Sequence, residues 1–234
     1  AMTICVIPAR GGSKRIPRKN IKEFHGKPMI AWSIEAAQKA NIFSKILVST
    51  DDDEIAHIAK SMGAEVPFLR PKELSDDYST TGSVMSHASQ WMRQAGLTPD
   101  VICCLYPTAP FVQSSDLVEA HRIIISEGCQ YSFSVCEYSS PVFRSFEKNS
   151  NGGIKMLFPE CFETRSQDFP NIFHDAGMFY MGTLDAWSLG LPVFGEYAFP
   201  IKIPSWRAQD IDTPEDWKRA ELMFQALKRN GELD

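Results

Sequence analysis

Apolar residues run almost unbroken from Thr3 to Ala9 (TICVIPA), a stretch rich in β-formers that stops at a Gly-Gly turn and reads as a strand. The period changes after Pro28. Met29, Ile30, Ile34 and Ala37 fall on one helical stripe, which predicts a helix over 28–40 with Pro28 in its first turn. Lys45–Thr50 (KILVST) is strand-like again, and a helix follows over 53–62, stopped by Gly63. The alternation continues with extended chain at 64–69, a helix at 82–95 and a wholly apolar strand at 101–106 (VICCLY). A helix at 115–127 then ends at Gly128, and a strand covers 131–136. Strands alternating with helices of this length indicate βαβ units and a mainly parallel sheet, which binds ligands beyond the carboxyl ends of its strands.

Beyond Glu137 the rhythm breaks. Residues 138–175 are irregular and rich in Ser, Asn, Pro and Phe, with one strand-like piece at 154–157. Strands are predicted again at 178–182 and 198–203. Thr213 then caps a last helix that opens with Pro214, Glu215 and Asp216, acids that suit the helix dipole. The expected organisation is one α/β domain over 1–234 with an inserted segment at 138–175.

Composition narrows the partners. The net charge of −5 lacks the broad basic footprint of a nucleic-acid binder. No apolar run approaches the roughly 20 residues that cross a bilayer, and the first strand carries no basic leader, so a cytoplasmic protein is expected. Ala1 precedes Met2 and is set aside. The cysteines Cys5, Cys103, Cys104, Cys129, Cys136 and Cys161 contain no C-x-x-C pair. They are expected to be buried free thiols, with Cys103 and Cys104 on opposite faces of their strand.

The densest chemistry follows the first strand. Residues 10–20 (RGGSKRIPRKN) put Gly11 and Gly12, whose backbone can approach an anion closely, beside five basic residues. Neither a Walker A sequence nor G-x-G-x-x-G is present, which disfavours a P-loop kinase and a dinucleotide enzyme. Charge runs are commonly solvated surface, but the position at a strand's carboxyl end favours a phosphate site. Asp210 and Asp212 point to one side of an extended chain, and oxygen-only ligands suit Mg2+. Spacing alone leaves this metal pair and a plainer arrangement, Asp212 helping to cap the next helix and Asp210 at the surface, equally open. Asp51, Asp52 and Asp53 stand just before a helix, where capping is their ready role. Tyr106-Pro107-Thr108-Ala109-Pro110 makes a fixed turn able to present backbone to a pyrimidine edge, or simply a rigid loop. Thr80 and Thr81 stand where they either approach a nucleotide or cap the next helix.

The run IPARGGSKRIPRKN resembles the signature of the acidic-sugar cytidylyltransferases, the family that includes the CMP-sialic acid synthetases. The likeness extends through KPMIAWSIEAA, VSTDDDEIA, FLRPKEL and YPTAP to QDIDTPEDW, covering nearly the whole chain. It implies a three-layer, mainly parallel twisted sheet of the nucleotide-diphospho-sugar transferase type. It implies that Ala9, Arg10, Gly11, Ser13, Lys14, Lys19 and Asn20 hold a nucleotide triphosphate and its base, helped by Thr80, Thr81, Pro107 and Thr108. Arg10, Lys14, Lys19 and Asp212 would carry catalysis, and Asp210 with Asp212 would hold Mg2+.

The resemblance further implies that Tyr106, Arg165, Gln167, His174 and Asp175 contact an acidic nine-carbon sugar, with Arg165 pairing to its carboxylate. Sialic acid synthetases carry glutamine where this chain has Tyr106. That residue, the His174-Asp175-Ala176-Gly177 stretch and the YPTAPF wording look most like pseudaminic acid cytidylyltransferases. Sialic and legionaminic acid synthetases are the alternative. The implied partners are CTP, the sugar and a second copy of the chain, whose 138–175 segment would swap across a homodimer. Two other classes stand beside this one. A glycosyltransferase would place the paired aspartates on a finished nucleotide sugar, and a non-catalytic nucleotide-binding protein would bind without turnover.

Overall fold

The computed structural model describes residues 2–77 and 79–234; Ala1 lies outside them. In chain order the elements begin with β1 (Thr3–Ala9), the short pair β2 (Glu23–Phe24) and β3 (Lys27–Pro28), α1 (Met29–Ala40) and β4 (Lys45–Thr50). They continue with α2 (Asp53–Ser61), α3 (Thr81–Gln94), β5 (Val101–Leu105), α4 (Ser114–Glu127) and β6 (Tyr131–Glu137). The second half adds β7 (Phe146–Lys148), β8 (Ile154–Met156), β9 (Phe173–Thr183), the short α5 (Leu184–Ser188), β10 (Ala198–Lys202) and α6 (Pro214–Arg229).

Six strands form one sheet in the order β10-β6-β9-β5-β1-β4. β4, β1 and β5 run parallel, with Val6 opposite Leu47 and Cys104. β10 and β6 are also parallel to each other, and β9 alone runs antiparallel, between β5 and β6. Alternation along the strands builds two cores. Cys5, Ile7, Cys103 and Leu105 face α1, α4 and α6 through Ile34, Leu117 and Phe224. Ile4, Val6, Ile102 and Cys104 face α3 and α5 through Met85, Met92 and Trp187. Helices on both faces explain why these strands are apolar throughout. Cys103 and Cys104 thus point to opposite faces; five of the six thiols are buried, while Cys161 is half-buried.

Several boundaries differ from the sequence expectations. Pro28 caps α1, with φ −54° and ψ 140°, instead of lying in its first turn. Residues 64–69 make only isolated bridges, Leu47 to Glu65 and Thr50 to Leu69. Pro67, which has no N–H, stands between them and interrupts the ladder. β9 begins at Phe173, so the irregular segment closes near residue 172 instead of 175. Inside it, β7 and β8 pair as a hairpin of their own. The polar start of β9 (HDAG) extends the strand ahead of the 178–182 expected from its apolar run.

Candidate active site

β1 and β4 end side by side, and their loops lock together there. The Gly11 N–H donates to Asp51 Oδ1 at 3.2 Å. A Cβ on Gly11 would lie 2.6 Å from Asp52 Oδ2 and 2.9 Å from Arg18 Nη1, so a larger residue would have to push the Asp52–Arg18 pair aside. Arg18, at φ 56°, grips Asp52 with two bonds of 2.7 and 2.8 Å and reaches Glu54 at 2.8 Å. Asp52 also caps α2 by accepting the Ile55 N–H. The Arg18 guanidinium holds the Asp52 carboxyl at about 2, below the ordinary carboxylate range. Asp52 is therefore structural, as capping suggested, and Arg18 is spent on holding it. Asn20, also buried, donates to the Arg10 carbonyl at 2.9 Å and so fixes the loop from within.

Three neighbouring cavities open around this loop. The first, of about 260 Å³, is walled by Arg10, Asn20, Arg70, Thr80, Pro107 and Thr108, among others. The second, of about 360 Å³, lies against Arg10, Ser13, Lys14, Arg15, Lys19 and Asp212. The third, of about 560 Å³, is bounded by Tyr106, His174, Asp175, Tyr180, Asp210 and Asp212. Lys19 lines all three, and its ammonium donates to the Ile211 carbonyl at 2.9 Å while standing 3.7 Å from Asp212 Oδ1. Thr80 caps α3 by accepting the Ser83 N–H, so it both caps a helix and faces a cavity.

Tyr106 is held on three sides. Ser33 Oγ donates to its carbonyl at 2.7 Å, its N–H donates to the Met178 carbonyl, and its hydroxyl lies 3.1 Å from Thr81 Oγ1. Its ring meets Tyr180 edge-on at 5.4 Å. The Tyr180 hydroxyl donates to Asp175 Oδ2, and Asp175 Oδ1 accepts the Gly177 N–H at 2.9 Å. Burial raises both phenol pKa values, so each remains a donor. His174 is committed as well. Its Nδ1 donates to the Asp175 carbonyl at 3.0 Å, which leaves Nε2 to accept the Cys136 thiol at 3.1 Å. Burial pushes the Cys136 thiol up, so it keeps its proton and remains a donor toward His174.

The Asp212 and Thr213 N–H groups both donate to Asp216 Oδ2, and Thr213 Oγ1 accepts the Asp216 N–H. Capping of α6 thus falls to Thr213 and Asp216, which leaves the Asp212 side chain to the cleft. Partial burial, then the neighbouring Asp212 carboxylate, push the Asp210 carboxyl above its ordinary range. Two acids that crowd each other fit a hard cation. Among the described residues no group of three or more His, Cys, Asp or Glu could hold a metal. A two-carboxylate set suits Mg2+, which takes its other ligands from phosphate and water.

Arg165 and Gln167 are not brought to these cavities in one chain. Arg165 is 72% exposed and pairs with Asp168 at 3.1 Å within the irregular segment. Three contributors escaped the sequence reading. Arg70 is 5% exposed and donates to the Ser49 carbonyl at 2.8 Å at the edge of the first cavity. Asp77 bridges Arg10 and Lys14, and Tyr180 orients Asp175. FLRPKEL pointed to Arg70 only through its resemblance, because a buried arginine has no periodic signature.

A family profile described as "Cytidylyltransferase" matches residues 4–144. The chain belongs to the cytidylyltransferase family. Among curated cytidylyltransferases it is 40% identical over 221 residues to a pseudaminic acid cytidylyltransferase of Campylobacter jejuni, covering 94% of this chain and 95% of that one. A CMP-N,N'-diacetyllegionaminic acid synthase of Legionella pneumophila is 31% identical, covering 95% and 96% of the two chains. Of solved structures, a CMP:2-keto-3-deoxy-manno-octonic acid synthetase complexed with CTP superposes with TM-score 0.67 at 19% identity, covering 97% and 100%. That identity shows a shared fold. The match spans the two loops that meet at Gly11, while α6 and the paired aspartates lie beyond it.

Proposed function

We propose that this cytidylyltransferase moves a cytidylyl group from CTP to the anomeric hydroxyl of pseudaminic acid and releases pyrophosphate. The observation that carries this reading is the meeting of three cavities at Lys19, with basic residues around one and hydroxyl and carboxylate groups around another. In this reading the first cavity takes the base and ribose, the second the triphosphate and the third the sugar. The acceptor hydroxyl gives up its proton to water and its oxygen bonds to the α-phosphorus as the bond to the bridging oxygen breaks, and the electron pair leaves on pyrophosphate. Arg10, Lys14 and Lys19 balance the charge that builds on the phosphates, so positioning and electrostatics supply most of the acceleration. Asp210 and Asp212 would hold Mg2+, which supplies further charge neutralisation when bound. His174 shapes the sugar cavity and is held in place there, since both its nitrogens are committed within the chain.

The choice of acceptor leans on the Campylobacter relatives; the Legionella relative favours legionaminic acid as a second reading. Such chemistry belongs where CTP is made, in the cytoplasm. No helix among the described residues is long and apolar enough to cross a membrane. A homodimer completes the reading. Phe146, Ile154 and Phe162 are each about 60% exposed on the irregular segment, while Phe143 packs on both Phe158 and Phe169. The exposed set gives a partner an apolar surface, and Arg165 and Gln167 would then serve the partner's sugar cavity. Ranking kcat/KM for pseudaminic, legionaminic and sialic acids at fixed CTP tests the acceptor. A clear preference for pseudaminic acid is expected; a preference for either of the others replaces that assignment.

A further inference from the structure

Asp77 spans two of the cations on which the triphosphate reading depends. Its Oδ1 lies 2.6 Å from Arg10 Nη1 and its Oδ2 lies 3.0 Å from Lys14 Nζ. These contacts hold the Asp77 carboxyl below its ordinary range, Lys14 first and Arg10 next. Asp77 lines both the first and the second cavity, together with Arg10, Ser13 and Lys19. Two oxygens of one anion, each on its own cation, is the arrangement a phosphate would make there.

Exposure decides whether the bridge is a strut or a placeholder. Asp77 is 38% exposed, Arg10 36% and Lys14 83%. The structural pair Arg207–Asp116 is 11% and 7% exposed, and breaking it would strand a buried charge. Water screens the Asp77 pairs, so they separate at little cost. A carboxylate that stayed between Arg10 and Lys14 would instead stand against the incoming phosphates and repel them.

We infer that Asp77 is a positioning residue that preorganises Arg10 and Lys14 in the empty site and competes with the triphosphate for both cations. This rests on the reading that Arg10 and Lys14 bind the triphosphate. The competition weakens binding of CTP and of the product pyrophosphate alike, and so favours product release.

The test is calorimetric titration of CTP, and separately of pyrophosphate, into the full chain without acceptor, at two salt concentrations. Asp77→Asn keeps the shape and removes the charge. It is expected to tighten both ligands by about two- to fivefold, the range an exposed ion pair carries, and to steepen the salt dependence. A merely structural Asp77 would not move the salt dependence. Arg10→Ala serves as the control. If Arg10→Ala weakens CTP while Asp77→Asn leaves its affinity unchanged or weakens it, competition is overturned and the triphosphate reading stands. If Arg10→Ala changes nothing, the triphosphate reading fails and the inference with it.

Discussion

Lys19 sits where the three cavities meet, and the acids around it are sorted by what their side chains still have free. Asp216 is used in capping and Asp52 on Arg18, whereas Asp210 and Asp212 turn to the cleft. Asp210→Asn or Asp212→Asn is therefore expected to cut turnover by about tenfold or more with little change in unfolding midpoint, the loss of one charged contact being worth about 1.5–3 kcal/mol. Steady-state kinetics beside urea melts checks this; near-native turnover in the double variant would remove the metal assignment. Asp52 makes the opposite kind of statement. Its folded pKa of about 2 lies below the ordinary 3.8, so the unfolded chain takes up the proton first. The stability it contributes is full above the ordinary carboxylate range and drains away as pH falls through about 4 toward 2. Between those limits the native chain should lose about 1–2 kcal/mol more than Asp52→Asn does, measured by urea unfolding across pH. Equal losses would mean that the Arg18 contact is not felt in solution.

At the scale of elements, the sheet strands and helices up to β6 were legible because a buried parallel sheet writes long apolar runs and its helices write a clear stripe, whereas the two-residue strands β2 and β3 are too short to write a period. β1 and β4 matched the residues expected of them. What followed was less legible for physical reasons. β9 starts with polar residues that line a cavity, so only its buried second half was read, and β7–β8 is almost wholly exposed, so only a piece at β8 stood out. Site residues fared likewise. The basic loop stood out by charge and position and the Asp210–Asp212 pair through the family resemblance, while Arg70, Asp77 and Tyr180 matter through contacts made across the fold. Arg207 and Asp116 belong to the same class. Arg207 grips Asp116 with bonds of 2.6 and 3.0 Å, and Asp116 also accepts the Gln113 N–H at the start of α4. Asp116→Ala strands a buried guanidinium and removes that cap, for an expected loss of about 3–5 kcal/mol. Chemical denaturation reads it directly, and a loss under about 1 kcal/mol would show that the pair is solvated.

For the whole molecule, the proposed homodimer accounts for the exposed phenylalanines of the irregular segment and for Arg165 standing in solvent, away from the three cavities. Light scattering at micromolar concentration should give twice the 26.3 kDa of one chain. A monomer that turns over CTP would remove the shared cavity. The central claim, however, is chemical, and phosphorus NMR follows it atom by atom. With CTP, Mg2+ and pseudaminic acid, the α-phosphorus signal should pass into a single phosphodiester, a CMP-sugar, as free pyrophosphate rises in equal amount. If CTP stays intact with pseudaminic, legionaminic and sialic acids alike, or loses its γ-phosphate instead, the account is wrong.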